Sequence, residues 1–184
     1  RFCHEKDLKV FCNIAPKTWA SREGRNRQLK EYVDRLFIVF PFEIQYFNSR
    51  GIPFTYEGNP LVDAVDSHVY SCPETSKYIA MLAGSRKAEI SRMMPVLMQV
   101  ADRLSSLDKY HDWKFIVAGA PSRSEDDYRP YIGERKNVRL IFSRTYDILK
   151  YAEAAVINSG TASLEAALIG TPQLVGWNTS ALTW

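Results

Sequence analysis

Residues 154–168 read Ala154-Ala155-Val156-Ile157-Asn158-Ser159-Gly160-Thr161-Ala162-Ser163-Leu164-Glu165-Ala166-Ala167-Leu168. The apolar run Ala154 to Ile157 predicts a buried strand, and Ala162, Ala166 and Ile169 then recur at helical spacing. Asn158 to Thr161 must be the turn between strand and helix. Such a turn leaves the first backbone N–H groups of the helix unpartnered at the positive end of its dipole, where phosphate binds well. Glu165 lies about one turn inside the helix, beside that seat, where its carboxylate could accept hydrogen bonds from a ribose. The same stretch also reads as an ordinary helix start, with Ser159 or Thr161 as N-cap and Glu165 a favourable acid near the N-terminus. One turn of this kind does not decide between the two readings.

A second turn shifts the balance. Tyr78 to Leu82 predicts a strand that runs into Gly84-Ser85-Arg86, followed by a helix with Ile90, Met94, Leu97, Ala101 and Leu104 on one face. Gly84 lets backbone come close to a ligand, Ser85 offers a donor, and Arg86 supplies a planar cationic fork suited to phosphate. Glu89 reads as an acid in a first helical turn. Pro95 is acceptable only near the start of that helix.

Strands and helices alternate through the rest of the chain. Leu8–Asn13, Leu36–Phe40 and Phe54–Glu57 predict strands, with helices over Gly24–Val33 and Phe42–Arg50. Trp113–Val117, Val138–Phe142 and Gln173–Gly176 predict three more strands, with a polar, partly helical segment from Ser124 to Gly133. Ser143 is the expected N-cap of a short helix ending near Tyr151. The irregular stretch from Gly58 to Glu74 is the expected linker, dividing the chain into domains at 1–66 and 67–184. This order predicts an α/β fold of two Rossmann-like doubly wound parallel sheets, the first incomplete. In such sheets every strand-to-helix turn projects to one edge, so the Ser85 and Gly160 turns should share one cleft.

Composition narrows the function classes. At 46% hydrophobic and 24% charged, the 184 residues are those of an ordinary folded domain or pair of domains. A net charge of +3 does not argue for nucleic acid. Cys3, Cys12 and Cys72 stand at neither metal nor redox spacing and read as free thiols of a reducing compartment, the cytoplasm. His4, His68 and His111 are too scattered for a metal cluster or a triad and receive no role. No metal or cofactor is expected, and no apolar run approaches the roughly 20 residues of a membrane span. G-x-x-x-x-G-K-[ST] and G-x-G-x-x-G are both absent, so neither a phosphoryl-transfer loop nor a dinucleotide fingerprint is present.

Five motifs in order resemble the bacterial lipid-A-disaccharide synthases, inverting glycosyltransferases of the GT-B class. They are Ala15-Pro16-Lys17-Thr18-Trp19-Ala20, Leu36 to Glu43, Gly58 to Asp63, Gly84 to Ile90 and Ser159 to Glu165. The resemblance implies transfer of 2,3-diacylglucosamine from UDP-diacylglucosamine to lipid-linked 2,3-diacylglucosamine 1-phosphate, at the cytoplasmic surface of the inner membrane. It implies that Arg86 meets the donor phosphates, that Ser159, Gly160 and Thr161 hold the diphosphate, and that Glu165 takes the ribose. The loop after Phe142 should hold the uracil, and residues 1–66 should be the acceptor side. Ala83 stands where the family usually has proline, and Asn158 where it often has alanine. The general base is expected before Arg1, so the chain reads as an internal piece, inactive by itself. Three rivals on the same architecture are a UDP-sugar epimerase, a non-catalytic nucleotide-sugar binding module and a plain interaction domain. Trp19, Arg22, Arg25 and Arg27, with Phe42, Tyr46 and Phe47, admit two readings: a peripheral membrane or acceptor surface, or a solvated helix face whose aromatics fill the core.

Overall fold

The computed structural model describes residues 2–158 and 160–178. It resolves into two compact units that meet in sequence between Asp66 and Ser67. The first contains α1 (Phe2–Glu5), β1 (Phe11–Asn13), α2 (Arg25–Tyr32), β2 (Arg35–Ile38), α3 (Pro41–Ser49), β3 (Thr55–Tyr56) and α4 (Pro60–Asp66). The strands pair in parallel in the order β1-β2-β3, with Cys12 opposite Leu36 and Ile38 opposite Tyr56. Leu36 and Ile38 from β2, Leu29 from α2 and Phe47 from α3 close a small core with Ala15 and Ile52. Phe47 is wholly buried, worth roughly 2–3 kcal/mol over leaving it exposed. α4 lies inside the stretch expected to be an irregular linker. Its seven residues, PLVDAVD, start on the proline that suits a first helical turn.

The second unit contains β4 (Tyr78–Leu82), α5 (Lys87–Ser105), β5 (Lys114–Gly119), α6 (Arg129–Ile132), β6 (Val138–Phe142), α7 (Thr145–Tyr151), β7 (Ala154–Asn158), α8 (Thr161–Ile169) and β8 (Gln173–Gly176). Its sheet is five-stranded and parallel, in the order β6-β5-β4-β7-β8. All five residues of β4 are buried, as a central parallel strand covered on both faces requires. Ile79 and Met81 pack beneath α5 with Phe115 and Val117. On the opposite face the Tyr78 hydroxyl donates to the Ile148 carbonyl of α7 at 2.8 Å. The chain winds from β4 outward to β6, then returns to β4's other side as β7. The crevice at the carboxyl ends of β4 and β7 is therefore a topological switch point, where α/β sheets place ligands.

Two local expectations are corrected. Pro95 is the ninth residue of α5 rather than near its start. An interior proline costs about 3 kcal/mol, but Ile90, Met93, Met94, Leu97 and Met98 are all buried by the same helix, and at roughly 1.5–3 kcal/mol each they outweigh it. Ser143 does not cap α7: it adopts a left-handed conformation at φ +58, and Arg144 occupies the cap position without a side-chain cap hydrogen bond. The tight reversal at the end of β6 takes the residue that helix capping would have used.

Candidate functional site

β4 and β7 are direct neighbours, with Leu82 opposite Ile157. Their register sends the Gly84 and Gly160 turns to the same edge. A cleft of about 340 Å³ opens there, and its walls include Gly84, Ser85, Arg86, Gly160, Thr161 and Glu165. Thus the structure brings together every residue singled out for the donor site except Ser159, which lies outside the described residues. Ala118, Ala120 and Pro121 at the end of β5 form a further wall.

Gly84 sits at φ +102, and a Cβ there would stand 2.5 Å from a Glu89 carboxylate oxygen and 2.9 Å from the Asn158 amide nitrogen. Only glycine fits this turn. Glu89, in the first turn of α5, accepts the backbone N–H groups of Ser85 (3.1 Å) and Arg86 (3.2 Å), and its other oxygen takes the Arg86 guanidinium at 2.6 Å. Burial opposes its ionisation, yet the Arg86 and Ser85 donors hold it below the usual range. It is a capping acid, as its position suggested. Arg86 is consequently paired within the protein, but its side chain is 82% exposed, so it can turn toward a ligand without leaving a buried charge behind.

Gly160, at the start of α8, is extended and brings no capping side chain. Thr161 and Ala162 line the cleft with it, and their backbone N–H groups belong to the set that a helix leaves unpartnered at its N-terminus. Asn158, buried at the end of β7, donates its Nδ2 to the Ala83 carbonyl at 3.3 Å, tying the two turns together. Its Oδ1 is buried and without a hydrogen-bond partner among the described residues.

Glu165 is half-buried on the cleft wall and accepts from the Tyr146 hydroxyl at 3.3 Å. Burial pushes its carboxyl upward, and the Tyr146 hydrogen bond pulls it partly back. Behind it lies a cluster that the sequence did not disclose. Asp147, 5% exposed, accepts from His68 Nε2 (3.0 Å), the Ser71 N–H (3.0 Å) and Arg144 Nε (2.9 Å). Burial opposes its charge, but these donors bring its pKa to about 2. His68 therefore has a structural role where none was expected. Its partner stands 79 positions away, and no local pattern announces such a pairing.

The basic and aromatic stretch of the first unit divides between its two readings. Phe47 and Tyr46 contribute to the core, whereas Trp19 and Phe42 are exposed and meet edge-to-face at 4.9 Å. Trp19 Nε1 donates to Glu43, a buried acid whose other oxygen accepts the Val39 and Phe40 N–H groups. Arg22, Arg25 and Arg27 are exposed, and Arg27 stands 3.8 Å from Glu31. Among the described residues no group of three or more His, Cys, Asp and Glu could hold a metal ion, and no helix is long and apolar enough to cross a membrane.

A parallel α/β sheet with a cleft at its switch point, flanked by two helix N-termini, is a Rossmann-like architecture of GT-B type. Solved structures agree on the fold. A putative UDP-N-acetylglucosamine 2-epimerase from Listeria monocytogenes superimposes with a TM-score of 0.64 at 15% identity, over 97% of this chain and 53% of that one. The UDP-GlcNAc 2-epimerase of Methanocaldococcus jannaschii, solved in complex with UDP-GlcNAc and UDP, gives 0.58 at 14% identity, over 94% of this chain and 54% of that one. The sequence model of the lipid-A-disaccharide synthetase family matches residues 4–184, and the chain belongs to that family. It is 34% identical to the lipid-A-disaccharide synthase of Syntrophus aciditrophicus over 194 aligned residues and 31% identical to that of Geobacter sulfurreducens over 193. Both alignments cover 100% of this chain and 50% of the relative. The chain thus spans about half the length of the curated relatives it matches.

Proposed function

We propose that this chain forms the donor site and part of the acceptor side of a lipid-A-disaccharide synthase. The enzyme transfers 2,3-diacylglucosamine from its UDP derivative to 2,3-diacylglucosamine 1-phosphate. Residues 67–184 take the donor: the Ser159–Thr161 turn and Arg86 hold the diphosphate, with Gly84 and Ser85 beside it, and Glu165 accepts from the ribose. A sugar hydroxyl of the acceptor displaces UDP at the anomeric carbon. Charge growing on the leaving diphosphate is stabilised by Arg86, turned from Glu89 toward the ligand, and by the two helix N-termini, whose dipoles need no rearrangement as the bond breaks. The proton acceptor for the attacking hydroxyl is not assigned to a residue of this chain.

The observation that carries this reading is the parallel pairing of β4 with β7, which sets both turns and Glu165 around one cleft. Incubating the full-length protein with both diacylated sugars tests it. A β-linked disaccharide phosphate and free UDP are expected in equal amounts, whereas a changed sugar epimer or unreacted donor would contradict the transfer. Among the described residues lining the cleft there is no histidine to serve the rival epimerase chemistry.

For residues 1–66 we propose the acceptor side and a peripheral contact with the cytoplasmic face of the inner membrane, through exposed Trp19 and Phe42 and the charges of Arg22, Arg25 and Arg27. Aromatics beside cations suit an interface of anionic head groups and acyl chains. Reversing Arg25 and Arg27 to glutamate should weaken binding to anionic vesicles severalfold, and unchanged vesicle binding and acceptor affinity would leave only a solvated helix face.

A further inference from the structure

We propose that Tyr146 sets the ribose selectivity of the cleft, acting through Glu165 as a positioning residue that His68 and Asp147 hold in place. This rests on the reading of Glu165 as the ribose acceptor. Among the described residues, the Tyr146 hydroxyl is the one hydrogen-bond donor to the Glu165 carboxylate, and it reaches Oε1 at 3.3 Å. An ionised carboxylate can accept about four hydrogen bonds. A half-buried one that has a single donor and faces a cleft is under-satisfied, and its free capacity points toward a ligand rich in hydroxyls.

The tyrosine cannot wander. Its ring meets the His68 ring edge-to-face at 5.3 Å, and His68 in turn packs edge-to-face on Tyr70 at 4.7 Å. Nε2 of His68 is bonded to Asp147 Oδ1 at 3.0 Å, and Asp147 is anchored to the backbone of Ser71 and to Arg144. One continuous run of contacts therefore leads from a buried, fully satisfied acid to the exposed edge of the cleft. Its effect is to hold one oxygen of Glu165 and leave the other for a ribose hydroxyl. A carboxylate fixed in this way discriminates a ribose from a deoxyribose, because the deoxy analogue leaves a desolvated acceptor without a donor.

The test is titration of the full-length protein with UDP and with 2′-deoxy- and 3′-deoxy-UDP, in wild type and in Glu165→Ala, Tyr146→Phe and His68→Ala, with melting curves to verify folding. The wild type should prefer UDP over at least one deoxy analogue by about tenfold, the worth of a hydrogen bond to a charged group. Glu165→Ala should abolish that preference. Tyr146→Phe, which keeps the ring and its packing, should cut it severalfold while affinity for the deoxy analogue stays near wild type. His68→Ala should cut it by less. If Glu165→Ala abolishes the preference and Tyr146→Phe leaves it intact, Tyr146 is not the selectivity residue and the ribose reading survives. If Glu165→Ala retains the preference, both are wrong. A preference lost in Tyr146→Phe but untouched in His68→Ala would overturn the role given to the histidine. A general loss of packing would lower all three affinities together and leave their ratios unmoved, which would also overturn the proposal.

Discussion

Asp147 and Glu165 are acids on neighbouring helices of one unit, and their surroundings treat them oppositely. Asp147 is the less exposed, yet its pKa falls to about 2 because four donors, two of them from Ser71, converge on it. Glu165 is half-buried, and burial raises its pKa, which the hydrogen bond from Tyr146 offsets only in part. Burial opposes ionisation at both acids, and only at Asp147 do the donors outweigh it. The difference separates a carboxylate whose needs the fold meets from one left with a single donor on the wall of a cleft. Glu89 is a third kind, inside the cleft but satisfied by its own helix start and Arg86.

The contrast can be broken experimentally, and the largest effect should come from Asp147→Asn. Removing that charge strands Arg144 and His68 around a half-satisfied amide and should cost about 2–3 kcal/mol in urea unfolding at neutral pH. Because its folded pKa is depressed, the stability Asp147 adds is present above its ordinary value of 3.8 and lost as pH falls through about 2. The wild type should therefore lose stability between about pH 4 and 2 where the variant does not. Equal slopes would mean the cluster carries no net charge effect.

Glu165→Gln should act in the other direction. A carboxyl whose folded pKa is raised favours the folded state below the unfolded value of 4.5, and that contribution is lost as pH rises through the folded value. At neutral pH the variant should be more stable than wild type while binding UDP several times more weakly, the exchange expected of a functional group. Greater stability without loss of affinity would remove Glu165 from the site. The smallest effect should follow Glu89→Gln: a weaker helix start, worth about 0.5–1 kcal/mol, with UDP affinity within about threefold of wild type. A large affinity loss there would show that Glu89 belongs with Glu165 rather than with Asp147.

How far the sequence led follows from which interactions are local. Buried parallel strands appear as unbroken apolar runs, so Tyr78–Leu82 and Ala154–Ile157 could be read directly, and the cleft residues lie within a few positions of those runs. The Asp147 cluster depends on His68 and Ser71 reaching α7 across 76 to 79 positions, a pairing that leaves no periodic trace. Pro95 and Ser143 misled for a related reason: local preference of about 1–3 kcal/mol was overridden by the buried face of α5 and by the reversal after β6. Asn158 stood out as unusual in its motif, but its hydrogen bond to Ala83 depends on strand order, which only the assembled sheet provides.

We propose that the Gly84–Arg86 and Gly160–Thr161 turns together grip one nucleoside diphosphate. Calorimetric titration of the full-length protein with UDP, repeated on Arg86→Ala and Glu165→Ala, tests it most directly. One site per chain is expected, with affinity lowered about tenfold or more by each substitution. Undiminished UDP affinity in both variants, or no UDP binding by a folded wild type, would contradict it.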